Sequence, residues 1–289
     1  MYMCHTLRCD NNLQCDTCAA VLSQTTEMFM AFLISTVALS LLLYTAAYAQ
    51  SEPVVDIPTR PSVTQRFLFS APANAKAAVI LFAGGHGGLQ IFPSGKLNWG
   101  GNNFVVRNRS LFAEQGLAVA TIDAPSDRQS SPYLGGFRQR PEHVADVKAV
   151  IAWIKQQSNL PVWLIGTSRG TQSVGYIGVE SAGTQGGPDG LVLTSTILSD
   201  AKSRSVPNLN MGKVTVPVLV VHHKEDGCRH CAYSDMPKLL NKLISASRKE
   251  LITINGGTDS GDPCEAQAYH GFNGRDEEVV KLIANWITQ

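Results

Sequence analysis

The chain has 289 residues, 44% hydrophobic and 16% charged, enough for one globular domain with a large buried core. Formal net charge is only +1 and no basic run interleaves with aromatics, which argues against nucleic acid or an anionic membrane surface as the partner. No repeat, collagen-like, coiled-coil or disordered composition is present.

The N-terminal segment reads as a leader. From Met30 to Ala47 the chain carries no charge and is almost wholly apolar, and it ends in Ala47-Tyr48-Ala49 before Gln50. Small residues at −3 and −1 suit signal peptidase, so cleavage is expected after Ala49, with residues 1–49 removed and 50–289 retained. The apolar run is shorter than a comfortable membrane span and no basic stop-transfer cluster follows it. The usual basic residue directly before the run is missing, with only Arg8 upstream. Translation from Met28 or Met30 is one explanation, and retention as an N-terminal anchor is the other. Cys4, Cys9, Cys15 and Cys18 precede the apolar run, and their Cys-x-x-Cys spacing could be read as a zinc knuckle. Ahead of an export signal, spurious upstream sequence is the better reading, and no metal is expected.

Beyond the leader, short apolar runs alternate with helical periodicities. Residues 64–69 open as a strand. Ala77–Phe82 is apolar throughout and enters Gly84-Gly85-His86-Gly87-Gly88, as a strand covered on both faces would. A helix is expected over 105–115, then buried strands at 117–122 and 161–165, separated by a helix over 142–156 with Val144, Val147, Ile151 and Ile154 on one face. Pro141 suits the first turn of that helix. A helix over 169–181, strands at 191–196 and 216–221, a helix over 235–247, a weaker strand at 250–254 and a closing helix over 276–287 complete the chain. The alternation predicts an α/β fold: a mainly parallel sheet covered by helices on both faces. Residues 89–104 and 126–140 read as long loops. Only about twenty residues separate the strands at 191–196 and 216–221, leaving little or no room for a cap.

Gly166-Thr167-Ser168-Arg169-Gly170 fits G-x-S-x-G, directly after a buried strand and directly before a helix. Alone the pattern is weak, and an ordinary Gly-Ser turn is the bland reading. In this context it describes a nucleophile elbow, whose tight turn needs glycines and exposes a strained serine at a helix N-terminus. A serine hydroxyl needs a positioned base. His270, in a loop between the last strand and the last helix, has the best setting among the seven histidines. His222 and His223 end a strand, where packing or hydrogen bonding is the plain expectation. His143 lies on a helix, His230 in a polar loop and His86 in the glycine loop. Asp226, following the strand at 216–221, is the expected orienting acid, with Glu225 as the adjacent alternative.

The order Ser168, Asp226, His270 at strand ends, with Gly84-Gly85-His86-Gly87 after an early strand, resembles the α/β-hydrolase superfamily over about residues 60–289. Val-Pro-Val-Leu-Val-Val-His-His-x-x-Asp (216–226) and His-Gly-Phe…Ile-Ala-Asn-Trp-Ile (270–287) are similar to its motifs. The missing cap is similar to small lidless esterases and dienelactone-hydrolase-like members, although Ser replaces the Cys of the dienelactone hydrolases. The resemblance implies an oxyanion hole from the backbone N–H of Arg169 and one from the glycine loop, Gly85 first and His86 next. It also brings the loops of Asp226 and His270 together, which implies a Cys228–Cys264 disulfide in an oxidising compartment. Cys231 is then left over. Cys228-Arg229-His230-Cys231 offers a rival redox reading, but such motifs open a helix in a thioredoxin-like unit, which this segment does not resemble. The expected activity is hydrolysis of an ester or related acyl bond of a small-molecule substrate, without cofactor, in a secreted or periplasmic protein. A peptidase or amidase on the same triad, and a catalytically silent binding protein, are the alternatives.

Overall fold

A computed structural model describes residues 52–289; the leader expected over 1–49 lies outside the described residues. Five strands are buried along their whole length: β3 (Ala77–Phe82), β4 (Leu117–Ile122), β5 (Val162–Thr167), β6 (Gly190–Thr194) and β7 (Val218–His223). Such strands read as continuous apolar runs because both faces are covered. β1 (Val54–Arg60) and β2 (Val63–Ser70) form an antiparallel margin at one end, and the more exposed β8 (Lys249–Ile254) forms the other. The eight strands lie in the order β1-β2-β4-β3-β5-β6-β7-β8, and from β4 to β8 every pairing is parallel.

Alternation along the strands divides the core in two. Ala78, Ile80 and Phe82 of β3 join Leu164, Leu193 and Val220 on one face, where α3 (Pro141–Gln157) and α4 (Gly170–Glu180) pack. Val79 and Leu81 join Val119, Ile165, Leu219 and Val221 on the other, against α1 (Phe104–Arg107), α2 (Arg109–Glu114) and α6 (Asp276–Ile287). The side-chain period of two along a strand makes this division. The result is the three-layer α/β architecture expected.

Three elements differ from expectation. β1 was not foreseen, because Pro58 and the charges of Asp56 and Arg60 break its apolar pattern; an edge strand tolerates both, and the register shifts between Pro58 and Arg60. The helix expected over 105–115 is two short helices meeting at Asn108. The helix expected over 235–247 stops after α5 (Met236–Leu240). Leu243 still reaches the core, while Ile244 points outward at 77% exposure, and the following Ser-Ala-Ser favours turns over helix.

Between β6 and β7 there is no cap, only 3₁₀ turns at Val206–Asn208 and Met211–Lys213. Chain direction places the crevice. After β3 the chain leaves toward β4, whereas after β5 it leaves toward β6, on the opposite side. The loops following β3 and β5 therefore diverge and open a crevice at the carboxyl edge, the usual ligand position in an open parallel sheet.

Candidate active site

The loop after β5 holds Ser168 in the left-handed region, at φ 51°. A non-glycine residue there costs roughly 1–3 kcal/mol and persists only when its surroundings enforce it. The enforcement is visible. Ser168 N–H donates to the Thr194 carbonyl (3.1 Å), and the Ser168 carbonyl accepts from Thr171 N–H (2.9 Å) and Thr171 Oγ1 (2.6 Å). The flanking glycines are steric requirements: a Cβ on Gly166 would stand 2.6 Å from the Gly170 carbonyl carbon, and one on Gly170 would collide with the Phe82 carbonyl of β3. The glycine loop after β3 closes on the elbow, since a Cβ on Gly84 would lie 3.0 Å from Ser168 Cβ.

His270 sits in a 3₁₀ turn, Tyr269–Gly271, and is 4% exposed. Its Nδ1 lies 2.9 Å from Asp226 Oδ2. A carboxylate oxygen accepts, so Nδ1 carries the proton and Nε2 is left with its lone pair. Nε2 is buried and has no hydrogen-bond partner among the described residues. Two contacts fix the turn. Ser195, itself at φ 43°, donates its hydroxyl to the His270 carbonyl (2.6 Å), and Arg107 Nη2 donates to the Gly271 carbonyl (2.7 Å).

Asp226 follows β7, and its Oδ1 accepts the Cys228 amide (2.9 Å). A second imidazole stands beside it: His222 Nε2 lies 3.5 Å from Asp226 Oδ2 and 2.7 Å from the Cys231 carbonyl. His222 Nδ1 accepts the Thr196 amide (3.3 Å), which fixes the proton on Nε2. Burial pushes the His222 pKa down to about 4, so the ring is neutral at pH 7. Glu225, the alternative acid, is exposed, and only its backbone N–H meets a histidine, His223.

Gly85, Trp99, Ser168, Ile197, His230 and His270 line one cleft of about 570 Å³. Asp226 stands behind His270, away from that surface. Of the expected oxyanion donors, Arg169 and Gly85 border the cleft, and neither backbone N–H has a partner among the described residues. The His86 ring does not line the cleft: it packs between Trp99 and Tyr133, and burial lowers its pKa. The Arg169 guanidinium is held by Asp200 (2.8 Å).

Cys228 and Cys264 form a disulfide, tying the loop of Asp226 to the segment that leads into His270. Cys231 is a buried free thiol whose pKa burial pushes well above the usual thiol value, and its Sγ lies 3.4 Å from the Ser195 carbonyl. The sulfurs of Cys228 and Cys231 and a ring nitrogen of His270 lie within 4.8 Å of one another. A metal would need Cys228 as thiolate, and its sulfur is committed to Cys264, so this donor set does not fit one. The same pairing removes Cys228-x-x-Cys231 as a dithiol couple.

His222 is buried and hydrogen-bonded at a strand end, as expected, but its place beside Asp226 was not legible in the sequence, and Ser195 and Arg138 were not singled out. Ser195 lies in Thr194-Ser195-Thr196, a polar run that closes a buried strand, which was the available signal. Arg138 lies in the stretch 126–140 expected as a loop, and nothing local marked it as buried.

The fold these elements define is the α/β-hydrolase fold, and solved structures agree. The chain is similar to Est1E from Butyrivibrio proteoclasticus (14% identity, TM-score 0.55, covering 81% of this chain and 97% of that one). It is similar to a cold-adapted esterase from an Arctic intertidal metagenomic library (15%, 0.53, covering 80% and 91%). It is also similar to the dienelactone hydrolase of Anabaena variabilis (15%, 0.51, covering 81% and 94%). No protein-family model and no curated protein matches the sequence.

Proposed function

We propose that the protein is a serine hydrolase that cleaves an ester or related acyl bond of a small molecule through an acyl-enzyme. One observation carries the reading. A serine in a strained backbone conformation shares a cleft with a buried histidine whose Nδ1–H is held by a carboxylate and whose Nε2 is unpartnered.

In this reading Ser168 Oγ attacks the acyl carbonyl while its proton passes to His270 Nε2. Asp226 keeps the imidazole in the productive tautomer and stabilises the imidazolium. The tetrahedral oxygen settles on the N–H groups of Arg169 and Gly85, each worth roughly 3–4 kcal/mol in the transition state. His270 returns the proton to the leaving group, and a water molecule, deprotonated by the same nitrogen, releases the acid. Strain at Ser168 serves this chemistry by presenting the hydroxyl at the N-terminus of α4. The esterase and dienelactone hydrolase named above add support at the level of fold.

Export belongs to the same reading. A disulfide beside the site suits an oxidising compartment, in keeping with the leader expected over residues 1–49.

Incubation with a fluorophosphonate probe tests the reading. Covalent attachment at Ser168, absent in Ser168→Ala, is the expected outcome, together with p-nitrophenyl butyrate hydrolysis lost in the same variant. Folded protein that neither labels nor hydrolyses any ester, thioester or amide offered would leave a binding role instead.

A further inference from the structure

Arg138 is buried, at 5% exposure, and no carboxylate among the described residues pairs with it. A buried charge without a counter-ion is expensive to keep, so its contacts bear on why it is there. Burial lowers its pKa, to about 9, with repulsion from Arg169 adding to the effect; the group remains cationic at neutral pH. Nη1 donates to Ser173 Oγ (3.0 Å), which also meets the buried His143 Nε2 (3.0 Å). Nη2 donates to three successive carbonyls of the glycine loop: Ala83 (2.9 Å), Gly84 (3.4 Å) and Gly85 (3.2 Å). The guanidinium also fills the space where a side chain on Gly87 would stand.

In a trans peptide the C=O and N–H point to opposite sides. Carbonyls 83, 84 and 85 turned toward one guanidinium therefore turn the N–H groups of Gly84, Gly85 and His86 away from it. Gly85 is at φ 52°, the left-handed turn that makes successive amides converge on an anion. We propose that Arg138 is a positioning residue for the oxyanion hole: it orients the 84–86 peptides so that Gly85 N–H faces the cleft, and its buried charge reinforces those peptide dipoles. The inference rests on the serine-hydrolase reading. Because the planar fork reaches three carbonyls and Ser173 at once, a lysine does not substitute for it.

Steady-state kinetics on p-nitrophenyl butyrate, with binding of an alkylboronic acid and of free butyrate, tests this in wild type, Arg138→Met and Arg138→Lys. For Arg138→Met, kcat is expected to fall about a hundredfold with KM within about threefold. Affinity for the boronic acid, whose tetrahedral adduct puts an oxygen in the hole, falls in step, while affinity for butyrate holds. For Arg138→Lys an intermediate loss of about tenfold in kcat is expected. Unchanged kcat and boronate affinity in Arg138→Met would overturn the assignment and leave the hydrolase reading standing. If Arg138→Met does not fold, Arg138→Lys decides, and a wild-type kcat in that variant overturns the assignment. An inactive, unlabelled wild type removes the hydrolase reading and this role with it.

Discussion

A histidine whose two ring nitrogens are already engaged inside the core can take up a proton only by breaking a contact. His222 is such a residue, with Nδ1 on an amide and Nε2 on a carbonyl. Its pKa is lowered to about 4 by burial, against 6.5 in an exposed chain. Between those values the unfolded chain binds a proton that the native protein refuses, so stability falls as pH drops from about 6.5 to about 4. Each pH unit in that window costs about 1.4 kcal/mol for this residue. His143, lowered to about 3 by burial and by Arg138, adds a parallel loss. Urea unfolding of His222→Gln at a series of pH values should show the slope of stability against pH reduced by about 1.4 kcal/mol per unit relative to wild type. Parallel slopes in the two proteins would sink the account. At this scale the sequence shows chemistry better than surroundings. Ser168, Asp226 and His270 follow strand ends and carry motif context. Arg138 and Ser195 matter through contacts with residues 35 to 75 positions away, and His222 through Thr196, 26 positions away, as well as through its nearer neighbours Asp226 and Cys231; no local pattern records the distant ones.

Elements were legible wherever burial imposed a simple period. α3 and α6 appear within a residue or so of expectation because their apolar positions recur at three and four. The segment 235–247 carries the same period in Leu239 and Leu243, yet only its first part is helical, since one buried leucine on a turn satisfies the core as well as a full helix face does. The Cys228–Cys264 link acts at this scale too. It joins the β7 loop to the segment that leads into the Tyr269–Gly271 turn, across a sequence separation of 36 residues. Cross-linking a loop of that length restricts the unfolded chain by about 4 kcal/mol in the loop-entropy treatment. Cys228→Ser/Cys264→Ser is therefore expected to unfold at a lower denaturant midpoint with a loss of that order, and a loss under about 1 kcal/mol would show that the link does not contribute through chain entropy.

For the molecule as a whole, alternating strands and helices were enough to predict a parallel sheet, while the strand order, and with it the crevice, came only from pairing. With β4 and β6 on either side of the β3–β5 pair, the glycine loop and the elbow run to opposite sides of a crevice, and the short connection between β6 and β7 leaves that crevice uncovered. That geometry constrains the substrate in the proposed reaction. The cleft, about 570 Å³, is lined by apolar residues such as Trp99, Phe104 and Ile197 and by polar ones such as Asn102, His230 and Glu265. Long acyl chains gain affinity by burying methylene groups, at about 0.8 kcal/mol each, and an open cleft with polar walls offers that gain only to the first few carbons. Among the described residues no cap joins β6 to β7, so none of them offers a lid for a lipid surface to open. In a p-nitrophenyl ester series, kcat/KM is expected to be highest for acetate to hexanoate and at least about tenfold lower for laurate, because the added carbons stay in water. The rate should rise smoothly through the concentration at which the longer esters form micelles. A peak at laurate, or a jump in rate at that threshold, would mean that some covering element lies over the cleft during turnover.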